Sequence, residues 1–492
     1  MLFRQRQKTV IRIYTGEGDS VGYIENFQTD ESKAFDGSGA IFLKALSRQA
    51  RSLQELAKDI AQSFVDVDTG IIENDVREFL ESLEIEGYLV SGESNEEIDM
   101  KDPIFSYSQK KPEIQTDHIP GEKKPGMSAL ALVAQHFGGK PRLWELRVEL
   151  SNRCNERCVH CYIPMKERAT SLDCDIDTYM FNDVLSQCRE AGLVRLALTG
   201  GEPMLHQDFL GFLKKAHESD FYTEVFSNLT MLNDEIIETL RSPRTSLVRT
   251  SLYSMVPQVH DSITGIPGSF HKTFRGIQRL IEADIQVQIG CMIMKRNKNA
   301  YLGVKEWGDR HGIPVIIDPY IYTTFDNSLE NADSRLSLDE LEKVLTETIE
   351  DDVDYRIARK YAGSPTQPPR HDERFCGICT FSFSLSPTGD VYPCAGWQNY
   401  ILGSVKEEKL IDIVENSPKV KHLLGIKRKD LPACLECEHL DYCHTCLMRN
   451  AVESPSGNML EISKYFCAAA AIKHRLIKEK VKGARNAVSP KK

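Results

Sequence analysis

The sequence predicts a multidomain α/β protein whose central domain is a parallel sheet, either open or curled into a partial barrel. Three observations support this prediction. The chain of 492 residues is too long for one compact core. Six apolar segments between residues 143 and 320 alternate with helical patterns. Eleven of the 14 cysteines fall in two groups, so we expect a cysteine-rich domain after the sheet. Before the sheet, the pattern of residues 1–92 predicts a winged-helix-like domain.

Changes of pattern along the chain give the expected boundaries. Residues 93–142 are acidic and then rich in Lys, Pro and Gly, which is typical of a linker. The expected segments are the winged-helix-like domain (1–92), the linker (93–142), the barrel (143–320), a connecting segment (321–375), the cysteine-rich domain (376–470) and a basic tail (471–492).

Composition indicates a cytoplasmic protein. The N-terminus lacks the apolar stretch of a secretory signal, and no segment approaches 18 consecutive apolar residues, so we expect no membrane association. Because thiols stay reduced in the cytoplasm, 14 cysteines indicate metal binding rather than disulfides. The net charge of −11 argues against nucleic acid as a partner.

Residues 1–92 carry the pattern of a winged helix. TVIRIYT and SVGYIENF alternate like the strands of a hairpin, three helical patterns follow, and YLVS closes the unit. The third helix would repel DNA phosphates, because six acids stand between Glu73 and Glu86 against a single Arg77. We therefore expect a peptide that adds to a sheet edge as an extra strand. A packing domain without a ligand is the alternative.

The barrel pattern brings four polar segments to one rim. The strand candidates are LWELRVEL, VRLALT, TEVFSN, LVRTSLY, VQIGCMIM and PVIIDPY, with helical patterns between them, for example at 175–191 and 270–283. Loops that follow parallel strands gather on one face. That face would carry the cysteine triplet after the first strand, TGGEP after the second, Ser227–Asn228 after the third and SLY after the fourth.

Three thiols leave one ligand position open. Zinc would need a fourth ligand, and His160 is too close in sequence to Cys161 to complete a tetrahedron comfortably. A [4Fe–4S] cluster normally has four cysteine ligands, so three would leave one iron open to an amino acid-like ligand. Gly200 and Gly201 would let the backbone approach that ligand closely, with Glu202 placed for a cationic amine.

The C-x3-C-x2-C triplet with an aromatic residue in the penultimate place, followed by GGEP after the next strand, resembles the radical S-adenosylmethionine (SAM) superfamily. Its members have a six-fold (β/α)6 TIM-like partial barrel. The resemblance implies a [4Fe–4S] cluster on Cys154, Cys158 and Cys161 whose unique iron chelates SAM. Reductive cleavage of SAM would then give a 5′-deoxyadenosyl radical that takes a hydrogen atom from the substrate. The implied SAM contacts are Gly200, Gly201 and Glu202 at the amine, His160 at the adenine, and Ser227, Asn228 and Ser251 at the sulfonium and ribose.

The second cysteine group is large enough for two complete clusters. Its C-x2-C pairs are separated by five residues, which is short for a zinc ribbon, whereas eight thiols make two four-thiolate sites. The pattern resembles the SPASM domain of peptide-modifying radical SAM enzymes. The resemblance implies auxiliary cluster I on Cys376, Cys379, Cys394 and Cys446, and auxiliary cluster II on Cys434, Cys437, Cys443 and Cys467. Many members have three residues rather than two before the fourth cysteine of the run, which leaves the allocation of Cys443 and Cys446 open.

The N-terminal unit resembles the winged-helix precursor-recognition domain fused to such enzymes, and VHDSITG resembles a stretch common in peptide-modifying members. Together these resemblances imply a maturase with three [4Fe–4S] clusters and SAM that modifies a ribosomally made precursor peptide. An electron donor such as flavodoxin or ferredoxin is implied as well. A thioether crosslink is the first expected product and a carbon–carbon crosslink the second.

Other activities fit the same pattern. A sulfatase-maturing (formylglycine-forming) enzyme would not need the N-terminal domain, and a non-enzymatic iron–sulfur scaffold would not cleave SAM. An epimerase would need a thiol that returns a hydrogen atom. Cys291 is a candidate donor, ahead of Cys174 and Cys188, although a buried cysteine more often acts as a small apolar residue.

Overall fold

The structure is a computed structural model. It describes residues 1–16, 20–29, 31–65, 67–103, 105–107, 128–167, 175–360, 371–443 and 445–488. Within these ranges no helix is long and apolar enough to cross a membrane.

The N-terminal domain contains two small antiparallel sheets, ordered β2-β3-β4 and β5-β1-β6, with helices against them. Its elements are β1 (Leu2–Gln5), β2 (Thr9–Thr15), β3 (Ser20–Asn26), β4 (Glu31–Phe35), α1 (Gly37–Ala45), β5 (Arg51–Ser52), α2 (Leu53–Ala61), α3 (Thr69–Ile85), β6 (Leu89–Gly92) and α4 (Asn95–Lys101). The structure contains the predicted hairpin, three helices and closing strand. The sequence patterns missed β1, β4 and β5, which are short or polar.

The β2–β4 sheet is covered on both faces. One face carries Ile11, Ile13 and Ile24 into an apolar cluster with α1, α2 and α3. The other face carries Val10 and Tyr14 into a second cluster that includes residues of the central domain. Strands alternate their side chains between two faces, so each face has its own partner.

The central domain has the predicted order of strands and helices. Helix α5 (Ala129–His136) precedes this domain in the chain. The elements of the domain are β7 (Glu145–Glu149), α6 (Thr178–Glu190), β8 (Arg195–Thr199), α7 (Phe209–Glu218), β9 (Tyr222–Phe226), α8 (Asp234–Leu240), β10 (Thr245–Ser251), α9 (Pro257–Thr264), α10 (Ser269–Glu282), β11 (Val287–Met292), α11 (Leu302–His311) and β12 (Val315–Asp318). Strands β7 to β12 pair in parallel in chain order. This confirms the parallel sheet.

The sheet continues into the cysteine-rich domain. After α12 (Leu338–Thr348) and α13 (Val353–Lys360), strand β13 (Ser382–Leu385) pairs in parallel with β7, and β14 (Asp390–Tyr392) and β15 (Gly403–Ser404) extend the sheet in antiparallel fashion. The remaining helices are α14 (Leu410–Asn416), α15 (Pro418–Gly425), α16 (Pro432–Leu435), α17 (Leu447–Glu453) and α18 (Lys464–Val488). The central and cysteine-rich domains therefore share one sheet.

Two expected boundaries differ from the observed elements. The expected linker (93–142) contains α4 and α5, and α5 places Ala129 and Val133 in the cluster that joins the N-terminal and central domains. The expected tail (471–492) begins inside α18. Residues 108–127 and 489–492 lie outside the described part of the chain.

Candidate functional site

A cavity of about 450 Å³ opens at the carboxyl ends of the parallel strands. Nine predicted site residues line it together, namely Cys154, Cys158, His160, Cys161, Gly200, Gly201, Ser227, Asn228 and Ser251. They come from four separate loops. The parallel topology brings these loops to one rim, as the sequence predicted.

The cysteine loop is held by the segment after β10. Arg157 N donates to Thr264 O at 2.7 Å, and Val159 N donates to Ile263 O at 3.0 Å. The Asp261 carboxylate in turn accepts hydrogen bonds from the backbone N–H groups of Gly268 and Phe270 and from the Ser269 hydroxyl, at 2.6 to 2.9 Å. The VHDSITG segment therefore fixes the shape of the cysteine loop.

The two glycines of TGGEP lie directly against the backbone that leads into the cysteine loop. Gly201 N donates to Ser151 O at 2.6 Å. A Cβ on Gly200 would lie 2.3 Å from Ser151 O, and one on Gly201 would lie 2.2 Å from Arg153 O. No side chain fits at either position, so glycine is required for contact between the loops after β7 and β8.

Glu202 is buried beside the cavity, and its carboxylate is directed at the end of β9. It accepts hydrogen bonds from the Ser227 hydroxyl at 2.7 Å, from Asn228 N at 2.8 Å and from Met204 N at 3.1 Å. Burial raises the pKa of Glu202 to about 7. In this arrangement Glu202 positions Ser227 and Asn228.

Asn228 and His160 also make contacts within the rim. The Asn228 side-chain amide donates to Asn155 Oδ1 at 2.8 Å, which joins the loop after β9 to the cysteine loop. His160 Nε2 lies 3.3 Å from the Tyr253 hydroxyl, and the two rings meet edge to face. The imidazole is therefore held in place at the wall of the cavity.

The three thiols lie in an electrostatically negative environment. Burial is the largest cause that raises the pKa of Cys154 to about 12, and the nearby Glu202, Glu156 and Cys161 contribute to the same rise. Burial, Glu156 and the other two thiols likewise hold the pKa of Cys158 well above its ordinary value. Thiolates are favoured there only when a cation is bound, so the donor set fits an iron–sulfur cluster.

Sequence reasoning missed several residues of the cavity. Glu156, between the first two cysteines, is 5% exposed, and its Oε2 lies 3.4 Å from Cys158 Sγ. A carboxylate inside a run of metal ligands was the available signal. Arg249 and Asp318 line the cavity from β10 and β12, and Tyr320 and Tyr322 follow β12. Nothing local in the sequence distinguished these four from ordinary strand residues.

The eight later cysteines form two groups in space. One cavity, of about 420 Å³, is lined by Cys376, Cys394 and Cys446. Cys379 is buried nearby and helps to raise the pKa of Cys394. Cys434, Cys437, Cys443 and Cys467 line another, of about 190 Å³, which Cys446 borders as well. Burial raises the pKa of Cys434, and the thiols that raise it further are Cys437, Cys443 and Cys467.

The candidate hydrogen donors differ in position. Cys291 borders the cavity through β11 but is 1% exposed, and it packs in the apolar cluster with Ile289 and Ile293. Gln288, Gly290 and Met292 alternate with these residues and belong to the cavity side of the strand. Cys188 is buried in α6, and Cys174 lies outside the described residues.

Three family models match the chain in the order of its domains. The model described as the radical SAM superfamily matches residues 148–303, which include the cysteine loop and strands β8 to β11. Residues 148–303 are a radical SAM domain. Residues 376–439 match the iron–sulfur cluster-binding SPASM domain, and residues 28–89 match coenzyme PQQ synthesis protein D (PqqD). The radical SAM protein is therefore an enzyme that uses a [4Fe–4S] cluster and SAM, and its SPASM domain binds further clusters.

Curated relatives of the radical SAM protein cover about two thirds of its length. An AdoMet-dependent heme synthase of Methanosarcina barkeri is 24% identical over 66% of this chain and 96% of the relative. A PqqA peptide cyclase of Granulibacter bethesdensis is 22% identical over 70% of this chain and 92% of the relative.

Solved structures have the same fold. Streptococcus suis SuiB bound to its precursor peptide SuiA has a TM-score of 0.60 at 15% identity, and the match covers 94% of this chain and 99% of SuiB. The protein anSMEcpe with bound AdoMet has a TM-score of 0.56 at 15% identity, with 70% of this chain and all of anSMEcpe covered. The radical SAM protein thus has a TIM-like partial barrel with an N-terminal PqqD domain and a C-terminal SPASM domain.

Proposed function

We propose that this radical SAM protein is a cytoplasmic maturase that modifies a ribosomally made precursor peptide, with a thioether crosslink as the first expected product. The observation that carries the proposal is the joining of three parts in one packed body. A PqqD domain, a three-thiol cavity and two four-thiol groups all contact the same barrel. Similarity to the PqqA peptide cyclase and to SuiB, solved with SuiA, supports a peptide substrate.

The proposed cofactors are three [4Fe–4S] clusters and SAM. Cys154, Cys158 and Cys161 would hold the first cluster. The proposed auxiliary ligands are Cys376, Cys379, Cys394 and Cys446 for cluster I, and Cys434, Cys437, Cys443 and Cys467 for cluster II. When bound, the first cluster and SAM supply a radical that abstracts hydrogen, with flavodoxin or ferredoxin as the proposed electron source.

The SAM contacts we propose follow the lining of the cavity. Gly200, Gly201, Ser227, Asn228 and Ser251 line it on one side, and His160 lies on another wall. The carboxylate of Glu202 holds Ser227 and Asn228 in place. We propose that it also supplies the negative charge that favours a cationic amine nearby.

Crosslinking to a cysteine sulfur must remove a proton as well as a hydrogen atom. The substrate C–H bond gives up one hydrogen atom and the thiol gives up one proton. An auxiliary cluster, when bound, would accept the one electron released on ring closure. We propose Asp318 as the proton acceptor. It lies at the end of β12 on the cavity wall, and burial raises its pKa. Tyr320 N donates to its Oδ1 at 2.8 Å, which orients the carboxylate.

The two tyrosines after β12 connect the cavity to the auxiliary sites. Tyr320 lines both the cavity and the pocket with Cys434, Cys437, Cys443 and Cys467. Burial raises the pKa of Tyr322 above its ordinary value, and Cys394 and Cys446 raise it further, which places this ring between the cavity and the first auxiliary group. Tyr320 and Tyr322 therefore adjoin both the cavity and the thiols that would hold the auxiliary clusters, and those clusters, when bound, would supply an electron acceptor.

Anaerobic coexpression with the short open reading frames encoded beside the gene tests the proposal by mass spectrometry. We expect one peptide to become lighter by two hydrogens per crosslink, with its cysteine blocked to alkylation if the product is a thioether. A Cys158→Ala enzyme, which lacks one cluster ligand, serves as the control and should give no change. Unchanged mass with a D-residue would instead indicate an epimerase, and no change in any peptide would refute the maturase.

A further inference from the structure

The N-terminal domain contacts the end of the barrel that is opposite the cavity. Arg12 Nε donates to Leu193 O at 2.8 Å and Arg12 Nη2 donates to Asp220 O at 2.6 Å, while Lys8 Nζ donates to Thr245 O at 2.7 Å. These acceptors precede or begin β8, β9 and β10. The cavity residues follow the same three strands. The PqqD domain and the cavity therefore lie a full strand length apart.

A group of charges holds the domain in this position. Asp220 Oδ1 lies 3.1 Å from both Arg48 and Arg244, and its Oδ2 lies 3.3 Å from Arg12. Asp220 and Arg244 belong to the barrel, whereas Arg12 and Arg48 come from the N-terminal domain. The half-buried carboxylate is thus bound from both sides of the interface.

Apolar packing adds to these ion pairs. The rings of Phe27 and Tyr222 stack with their centroids 3.6 Å apart. Around them is a buried cluster made of Val10, Tyr14, Val21, Tyr23, Ala129, Val133, Val194 and Tyr222. Because these side chains would be exposed to water if the domain moved away, the domain is a fixed part of the enzyme.

Side chains close the inside of the barrel between the two ends. Arg249 Nε donates to Glu224 Oε2 at 3.0 Å, and Arg195 Nη1 lies 3.9 Å from Glu224 Oε1. The guanidinium groups of Arg147 and Arg249 each lie 5.3 Å from the centre of the Phe226 ring. These contacts obstruct the inside of the barrel, so the path considered for a bound peptide runs around the outside of the barrel.

The length of that path follows from ordinary dimensions. Strand β10 has seven residues, which corresponds to about 20 Å along the barrel. Crossing the helical layer adds about 10 Å, the diameter of one helix. A path of about 30 Å needs about nine residues of fully extended chain.

We propose that the PqqD domain is a fixed anchor for the leader at the far end of the barrel, and that the natural substrate carries a spacer of at least about nine residues between its bound leader and its modified residue. This proposal rests on the proposed function. A peptide modified next to its recognition segment is excluded.

The precursor identified by coexpression tests this proposal in a series of spacer lengths. Gly-Ser spacers of about four, about twelve and about twenty-four residues replace the natural one. The full-length enzyme with its clusters is used throughout. Mass spectrometry measures the rate of modification, and the fluorescence anisotropy of each labelled precursor measures its binding.

A fixed anchor predicts an asymmetric result. A spacer too short to span the two sites leaves almost no effective concentration of the core peptide at the cavity. Doubling the length of a spacer that does span them lowers that concentration, and with it the rate of modification, only about threefold. The shortest precursor should therefore bind normally but be modified at least about tenfold more slowly than the middle one. Equal rates for the shortest and middle spacers would overturn the anchor while leaving the maturase standing. Failure to modify even the precursor with its natural spacer, run alongside as the reference, would refute the maturase itself.

Discussion

At the scale of single residues, the cavity has two different walls. The wall formed by the loops after β7 to β10 carries the thiols and glycines, and most of its polar side chains hydrogen-bond to one another, as Glu202 does with Ser227 and Asn228. The opposite wall, at β12, carries Asp318 with one hydrogen bond from Tyr320 N. A carboxylate on the wall away from the proposed SAM site is suited to act on the peptide.

Asp318→Asn tests that role. We expect modification of the precursor to slow at least about tenfold at neutral pH, because the amide cannot take the proton. Formation of 5′-deoxyadenosine without peptide should stay within about twofold, since the proposed SAM contacts are unchanged. Liquid chromatography with mass spectrometry measures both products.

The pH profile separates this role from a structural one. A general base acts when deprotonated, so the wild-type rate should rise with pH through the pKa of Asp318, which burial raises above its ordinary value. Asp318→Asn should lack this rise and Asp318→Glu should retain it. An Asn variant with the wild-type rate and profile would exclude Asp318 as the proton acceptor.

At the scale of elements, α7 links the barrel to the N-terminal domain through a half-buried histidine. His217, near the end of α7, has its pKa lowered to about 4 by burial and by the nearby Arg244 and Lys8. Its Nε2 lies 3.3 Å from the Thr245 hydroxyl. The folded state therefore holds this imidazole neutral, whereas an unfolded chain would protonate it below its ordinary pKa of about 6.5.

His217→Gln should make the protein less sensitive to acid. Because the unfolded chain binds the extra proton, stability is full above pH 6.5 and falls as the pH drops from about 6.5 toward 4. At pH 5.5 the wild type should lose about 1 kcal/mol relative to pH 7.5, and the variant should not. Thermal unfolding under anaerobic conditions measures the difference.

A matched control uses an exposed histidine. His422 lies on the surface of α15, away from the interface, so His422→Gln should unfold like the wild type at both pH values. An acid-induced loss of stability that persists undiminished in His217→Gln would show that other groups cause it.

Elements were predictable where their pattern is local. The six barrel strands are short apolar runs between helical patterns, and they appear in the structure where the sequence placed them. Strand β13 is only SFSL, and its pairing with β7 joins residues more than 200 positions apart. The segment ALALVAQH of α5 is helical because it packs between two domains, and the linker-like composition around it hid that role.

The same distinction applies to the site. Cysteine spacing and the paired glycines have direct chemical meaning, so the sequence alone brought them to one rim. The contacts of Glu202 and the direction of Asp318 toward the cavity depend on how loops that are distant in sequence pack together. No local pattern carries that information.

At the scale of the whole molecule, the N-terminal domain presents an edge strand beside an acidic helix. Among the described residues, β4 pairs only with β3, and the Phe35 and Phe79 rings of β4 and α3 meet edge to face. Along α3, Glu78 and Glu81 are exposed. A leader added to this edge would lie against negative charge, so a basic leader is favoured.

Removing residues 1–92 would test leader binding poorly. The truncation would expose Val194 and Tyr222, which are buried against the N-terminal domain. Surface substitutions that leave the interface intact are the better choice.

Glu78→Lys combined with Glu81→Lys should weaken binding of the precursor about fivefold, a loss of about 1 kcal/mol for two reversed surface charges. Fluorescence anisotropy of the labelled leader measures this change, which should shrink at high salt because the charges are exposed. The control reverses two exposed acids of the cysteine-rich domain, Glu407→Lys with Glu408→Lys. The two variants have equal net charge, so equal binding by both would show that α3 does not contact the leader.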